Sequence, residues 1–467
     1  MRALTRPRND PRTSPSGQFR TRLTTTLVAL AAVAGLGLGG LAVTRDQGRA
    51  VLAAGSNPAT PGAFTGYGFD QCLAPTQAKM DAWLDNSPFH AVGIYISGNS
   101  RACRSQPNLT RTWVSTQLAR GWRLLPITLG PQASCQPRYP KYNDDPRINP
   151  DPTSWWSKAK AQGKLEAERA VTAAKNLGIV PRSTLFYDLE GFDLGNTNCR
   201  ESALRFVHAW TLRLHELGYK SGFYSSASSG IKMVDDARVN HPGVFALPDT
   251  LWIARWDGVA NTTTETRYLR SDGWTGGNRL KQYQGGHNET WGGVTINIDR
   301  NWLDVGGGSR SRTETHCGGI RVDYPSYPGF SIGTSRPEVR ALKCLLVEQG
   351  MTSYGINLKS NYYGRGAANA VNAWLTREGF RPSTTWRAGH WKGLLPRGGA
   401  GWQKRGSSGA SVWRLQRALI ARGISVPLSG VFDRATDSAV RSYESSRGQA
   451  VNGVVTPALW NLLYRGR

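Results

Sequence analysis

The chain has 467 residues, 39% of them hydrophobic and 19% charged, with 17 Trp. That composition excludes a mostly disordered polypeptide, and the 54 Gly and 25 Pro follow no three-residue period, which excludes a collagen-like fibre. The 58 Lys and Arg against 32 Asp and Glu leave a formal charge of +26, so the expected partner is anionic: nucleic acid, an acidic membrane surface or an acidic cell-wall polymer.

Residues 1–22 hold six Arg and one Asp, and Leu27–Val43 is then an unbroken apolar run of 17 residues. A basic stretch followed by an apolar one is the pattern of an export signal. The run falls short of the ~20 residues that span a bilayer, which favours cleavage over anchoring. Val51-Leu52-Ala53-Ala54 offers small residues for the cut, and the chain beyond the run keeps a charge of +21. An exported protein rarely meets DNA, so no nucleic acid is expected. Membrane contact is expected only through the signal before cleavage, and wall polymer becomes the leading partner. Residues 1–60 are read as signal and short linker.

Residues 61–306 are close in length to the ~250 of an eight-stranded α/β barrel. Eight short apolar runs predict strands: 66–70, 91–97, 123–129, 184–190, 220–225, 251–257, 280–284 and 295–301. Apolar residues at three- and four-residue spacing predict helices over 76–84, 110–120, 157–177 and 201–217, the last two ending at Gly178 and Gly218. Strands alternating with helices predict a parallel sheet closed into a (β/α)8, TIM-like barrel. The helical patterns weaken after the fifth strand, so the later crossovers are expected to be short or irregular.

The sharpest local signal is Phe186-Tyr187-Asp188-Leu189-Glu190 on the fourth strand. Residues i and i+2 of a strand share a face, placing the Asp188 and Glu190 Cβ atoms about 6–7 Å apart at the end where barrel active sites sit. Asp70 ends the first strand and Asp299 lies on the eighth, its neighbour in a closed barrel. Four acids would then ring one mouth. Glycosidic hydrolysis needs a protonated carboxyl to donate to the leaving oxygen, and ionised ones to stabilise positive charge or activate water. Crowding raises the pKa of the most buried member. Glu190 is therefore the expected proton donor, with Asp188 and Asp299 stabilising and Asp70 positioning. Strand alternation also turns Tyr95, Tyr224, Trp252, Trp256 and Gln282 inward, and flat rings with polar edges suit sugar faces.

The cysteines, Cys72, Cys103, Cys135, Cys199, Cys317 and Cys344, are even in number and form no CxxC pair. Outside the cytoplasm they read as up to three disulfides. No two His have helical metal-site spacing, so neither metal nor cofactor is expected. Spacing alone leaves the pairing open. Neighbouring mouth loops favour Cys72–Cys103 and Cys135–Cys199, and Cys317–Cys344 would tie a linker over 307–335 to the C-terminal part of the chain.

The C-terminal part repeats. Val339, Leu342 and Gly350 match Val412, Leu415 and Gly423 at an offset of 73. After a loop four residues longer in the first copy, Tyr363, Ala370, Val371, Trp374, Gly379 and Trp391 match Phe432, Ala439, Val440, Tyr443, Gly448 and Trp460 at an offset of 69. Residues 336–397 and 405–467 are each expected to form a small three-helix unit. Residues 318–467 hold 21 Lys and Arg against 7 Asp and Glu, most of the excess charge.

Gly68-Phe69-Asp70-Gln71-Cys72, Asp188-Leu189-Glu190, Leu251-Trp252-Ile253-Ala254-Arg255-Trp256 and Ile298-Asp299-Arg300-Asn301 resemble the family 25 lysozymes. They resemble more closely a group of actinobacterial secreted glycoside hydrolase-like proteins, over most of residues 64–304. That resemblance implies a β/α barrel acting on β-1,4-linked N-acetylmuramic acid, with Asp70, Asp188, Glu190 and Asp299 on the family's acidic positions. The cysteine-bearing loops after strands one to four depart from the lysozymes and would reshape the cleft. Val412-Trp413-Arg414-Leu415-Gln416, Gly430-Val431-Phe432-Asp433 and Val451-Asn452-Gly453-Val454-Val455-Thr456-Pro457 resemble small peptidoglycan-binding modules. The first copy departs from them, with Lys343 where Gln is usual. The reading is a secreted, wall-associated, monomeric muramidase held to peptidoglycan and anionic wall polymers by its repeats. The alternative is a barrel that grips glycan without cutting it.

Overall fold

The computed structural model describes residues 56–136 and 144–466. The basic stretch, the Leu27–Val43 run and the suggested cleavage region lie outside the described residues. Among the described residues, no helix is long and apolar enough to cross a membrane.

Eight strands close into one barrel in chain order: β1 (Phe64–Asp70), β2 (Phe89–Ser97), β3 (Arg123–Thr128), β4 (Thr184–Leu189), β5 (Lys220–Ser226), β6 (Thr250–Ala254), β7 (Arg279–Trp291) and β8 (Val294–Val305). Helices α1 (Gln77–Asn86), α2 (Arg111–Ala119), α3 (Thr153–Asn176), α4 (Thr197–Glu216) and α5 (Lys232–Asn240) make the first five crossovers. Side chains of Thr76, Thr110 and Asn196 cap the starts of α1, α2 and α4 by accepting from the third residue on, which satisfies donors that the helix cannot.

The eight-stranded α/β barrel matches expectation, but the all-parallel direction does not. β8 runs antiparallel to both β7 and β1. The two-residue turn Gly292-Gly293 joins β7 to β8, with φ of 57° and 74°. Two successive positive φ values make the tightest hairpin turn, and such a turn can only return the chain antiparallel. No helix spans residues 255–278 either. The outer wall of β7 and β8 is covered instead by a loop held through Lys281, whose buried Nζ donates to Asp257 (2.8 Å), Asn261 (2.6 Å) and the Thr263 carbonyl (3.0 Å).

One apolar layer, including Trp83, Trp122 and Trp210, packs between sheet and helices. A second fills the barrel with Phe64, Leu125, Ile127, Phe186, Trp252, Leu280 and Leu303. At ~25 cal/mol per Å² of buried apolar area, each such Trp or Phe contributes a few kcal/mol. Gly93 has a steric task here. A Cβ on it would lie 2.5 Å from the Asp70 Cβ, so its absence makes room for the acid at the barrel mouth.

The C-terminal part forms two units of one design. The first contains α6 (Pro337–Glu348), α7 (Arg365–Arg377) and α8 (Trp391–Leu394). The second contains α9 (Ala410–Ile420), α10 (Arg434–Ser446) and α11 (Pro457–Tyr464). Equivalent positions are buried in both: Val339 and Val412, Tyr363 and Phe432, Trp374 and Tyr443, Trp391 and Trp460. The bridges Phe330–Trp386 and Ser335–Tyr362 recur as Gln403–Val455 and Ser408–Val431. Lys343 does in the first unit what Gln416 does in the second. Its Nζ donates to the carbonyls of Asn357 (2.6 Å) and Tyr362 (3.3 Å), as the Gln416 amide donates to the Val431 carbonyl (3.1 Å). The longer Lys side chain spans the longer loop. The stretch expected as linker is itself packed, since Val322, Tyr327 and Phe330 belong to the core of the first unit.

The second unit is docked on the barrel at the end where β1 begins and α1 ends. Lys404 is buried there and donates to the carbonyls of Leu84 (2.6 Å), Ser87 (3.1 Å) and Phe89 (3.0 Å). Trp402 donates to Asp85, and Ser309 donates to the Gly406 carbonyl (2.5 Å).

Candidate active site

The β1–β8 register sets Asp70 directly opposite Asp299. Asp299 reaches the mouth because it lies partway along an antiparallel strand, and not because it ends a parallel one. Asp70 is buried at 3% exposure. Its Oδ2 accepts from Asn301 Nδ2 (2.6 Å), and both of its oxygens accept from Gln282 Nε2 (3.3 and 3.1 Å). Asn301 is oriented in turn by the Trp252 indole (2.7 Å), and Gln282 by the Tyr224 hydroxyl (3.0 Å) and the Trp256 indole (2.8 Å).

Asp188 is buried on β4, and Glu190 follows the strand's last residue at partial exposure. Gln132 fixes this end of the chain. Its side-chain oxygen accepts from the Glu190 N–H (2.8 Å), and its amide donates to the Asp188 carbonyl (2.9 Å). Ser225 Oγ donates to the Leu189 carbonyl between them (2.5 Å). The Tyr95 hydroxyl lies 3.4 Å from Asp188 Oδ2.

The four carboxyls converge electrostatically. Burial pushes the Tyr95 phenol well up, and Asp188, Asp70, Glu190 and Asp299 each add to that push. Tyr224 is raised in the same way, first by burial and then by Asp188, Glu190 and Asp70. Both phenols therefore stay protonated as donors among acids. Burial raises Asp70 well above the usual carboxylate range, and the neighbouring Asp299 raises it further. Asp299 is pushed up to about 6 by burial and by the Glu190 charge, against a hydrogen bond from Asp70 that lowers it. Crowding thus acts most visibly on the adjacent Asp70 and Asp299.

That shift sets a pH dependence. Asp299 binds its proton more tightly in the folded chain than at its ordinary 3.8. Its contribution to stability therefore falls as pH rises from about 4 to about 6, and stays low above. Asp299→Asn should remove the fall. In urea titrations, its stability relative to the parent should grow from pH 4 to pH 7 by up to about 3 kcal/mol. A constant difference across that range would contradict the raised Asp299 carboxyl.

Two aromatic expectations are corrected. Trp252 is 1% exposed and sits within the barrel filling against Phe186 and Tyr224, so it supports the site from below and offers no ring face to a ligand. Trp256 lies beyond β6, where strand alternation no longer applies, and is 58% exposed. It lines the mouth by packing over Gly285, where a Cβ would come within 2.5 Å of its ring. A cavity of about 290 Å³ opens there, lined by Glu190, Tyr224, Ser226, Arg255, Trp256 and Tyr268. Tyr95 and Gln282 stand beside the acids as expected. Sequence reasoning missed Gln132 and Asn301. Asn301 lies two residues after Asp299 and faces inward by the same alternation, whereas Gln132 lies in a loop with no periodic signal.

Disulfides Cys72–Cys103 and Cys135–Cys199 tie neighbouring loops around the mouth, and Cys317–Cys344 ties the connecting segment to α6. Among the described residues, the one cluster with metal-ligand spacing is Cys317, Cys344 and Glu348. Both of its thiols are consumed in the disulfide.

Residues 81–303 match the family described as Rv2525c-like, glycoside hydrolase-like domain, and residues 408–463 match the peptidoglycan binding domain family. No curated protein matches the chain. Among solved structures, an uncharacterized B. stearothermophilus protein is similar at 20% identity, over 51% of this chain and 95% of that one, with a TM-score of 0.33. The Tat-secreted protein Rv2525c of Mycobacterium tuberculosis is similar at 13% identity, over 51% and 95%, with a TM-score of 0.32. A family 25 glycosyl hydrolase from Bacillus anthracis is similar at 13% identity, over 51% and 89%, with a TM-score of 0.30. The chain carries an Rv2525c-like, glycoside hydrolase-like barrel domain followed by a C-terminal peptidoglycan-binding domain.

Proposed function

We propose that the protein is a secreted, wall-associated glycan hydrolase of the muramidase type, which cleaves β-1,4 bonds of peptidoglycan. Residues 1–60 supply the export signal and 61–306 the hydrolase; 307–335 connect them to wall-binding units at 336–397 and 405–467. The observation that carries this reading is the placement of Asp188 3.4 Å from the Tyr95 hydroxyl and of Asp70 opposite Asp299, with Glu190 opening onto the cavity at the mouth. Glu190 is placed to donate the proton to the leaving oxygen. Asp188 and Asp299 face the developing positive charge, and Asp70, buried and fully hydrogen-bonded, positions Asp299. Tyr224 and Trp256 border the space for a sugar ring. The excess of Lys and Arg in the C-terminal part suits the carboxylates of peptidoglycan and other anionic wall polymers.

One observation favours a second reading, a barrel that binds glycan without cutting it. Asp70 is held by Asn301, Gln282 and Asp299 together, as a structural hub would be. Reducing-end release from purified peptidoglycan separates the two. New ends bearing muramic acid are expected, whereas binding to sacculi with no release would establish the binder.

A further inference from the structure

The barrel wall opposite the mouth-facing side chains of β1, β7 and β8 lacks a crossover helix, because β7 and β8 form a hairpin. Tyr67, Tyr283, Arg300 and Trp302 alternate with Asp70, Gln282, Asn301 and Asp299, so they point outward there. The second C-terminal unit covers part of this wall and leaves a cavity of about 370 Å³ between them. Tyr67, Trp291 and the edge of the buried Tyr283 line it from the barrel, together with Arg300, while Arg405, Arg441 and the Asp437 carboxylate paired to Arg441 line it from the docked unit.

The three guanidinium groups differ in what they have left to give. Arg300 is bound to Glu289 and to the Tyr283 hydroxyl. Arg441 donates to Asp437 (3.0 Å) and to the carbonyls of Val451 (3.1 Å) and Asn452 (2.8 Å). Arg405 is half-buried over the Trp302 ring, 5.5 Å from its centroid, and has no carboxylate partner among the described residues. Its guanidinium therefore keeps N–H donors with which a carboxylate could pair in the charge-assisted way typical of Arg. Aromatic rings beside it suit the face of a pyranose ring. Neutral glycan would use the rings and leave Arg405 unanswered, so the combination selects a sugar that carries a carboxylate.

We infer that the junction between the barrel wall and the second C-terminal unit is a glycan-binding site separate from the mouth, in which Arg405 pairs with the carboxylate of a muramyl sugar lying against the partly exposed rings of Tyr67 and Trp291. The inference rests on the proposed reading that peptidoglycan is the ligand. It adds a site that neither the barrel nor the repeat forms alone.

The test uses the full chain carrying Glu190→Gln, so that ligand is not consumed, titrated calorimetrically with the soluble muramyl disaccharide N-acetylglucosaminyl-N-acetylmuramic acid, whose lactyl carboxylate is free. Adding Arg405→Ala should remove one site or weaken it about tenfold to a hundredfold, as expected for losing one charge-assisted pair. Arg405→Lys, which keeps the charge, should retain the site and controls for folding. Uncharged chitobiose should bind both chains alike. Hydrogen exchange at the Trp291–Val294 turn should slow on adding the muramyl disaccharide only when residue 405 is basic. Equal site number, affinity and protection with Arg and Ala at 405 would overturn this site and leave the wall-binding reading standing. Absence of muramyl disaccharide binding by either chain would take down that reading and this site with it.

Discussion

Glu190→Gln should lower reducing-end release from peptidoglycan by about three orders of magnitude, the scale of a lost general acid, and leave binding to sacculi unchanged. The amide keeps the shape and hydrogen-bonding capacity of the side chain but has no proton to give to a leaving oxygen. The backbone around it should not move, because Gln132 and Ser225 hold the strand end through the Glu190 N–H and the Asp188 and Leu189 carbonyls. The loss should therefore fall on kcat, with KM nearly constant. Asp188→Asn provides the contrast: its carboxyl is buried beside Tyr95, and its loss should weaken transition-state stabilisation without changing which group donates the proton. Release by Glu190→Gln at the parent rate would remove Glu190 from the donor role.

Lys404→Met should flatten a rise in stability with pH that the parent shows on the alkaline side. Burial lowers the Lys404 ammonium from 10.5 to about 7. Between those values the unfolded chain holds a proton that the folded chain has released, so stability climbs with pH, by at most about 5 kcal/mol. Below pH 7 both states are charged and the slope vanishes. The same substitution strips a donor from the Leu84, Ser87 and Phe89 carbonyls where α1 ends, and carbonyls there have no helical partner. That loss should cost about 2–3 kcal/mol at neutral pH. Urea titrations of both chains at pH 6, 8 and 9.5 read the two effects together. Parallel stability curves would contradict the burial shift.

Most of the barrel was legible because apolar runs and helical spacing are local properties. All eight strands follow from such runs, and Asp70, Asp188, Glu190 and Asp299 follow from where the runs end or alternate. Strand direction was less legible. A run of alternating residues looks the same whichever way it is traversed, and only Gly292-Gly293 between Trp291 and Val294 marks the hairpin that reverses β8. Trp256 illustrates a boundary error of three residues, since the alternation that turns it inward stops at Ala254 and not at Asp257. Gln132 and Lys404 had no local signal at all. One lies in a loop and the other among Gly and Ser, and each matters only through partners more than 50 residues away in sequence.

The docking of the second C-terminal unit by Lys404, Trp402 and Ser309 bears on avidity. On a flexible tether, a binding module offers its partner domain a cloud of local ligand whose density falls with tether length. Here the module is held at the barrel end opposite the acids, so the tether has no length to vary. A polymer segment gripped by the docked unit and one entering the mouth are held apart by the barrel itself. They are then different stretches of one strand, or neighbouring strands of a mesh. Avidity in such a molecule depends on mesh spacing, and should be high for a lattice whose strands match that separation and close to that of a single site for short soluble fragments.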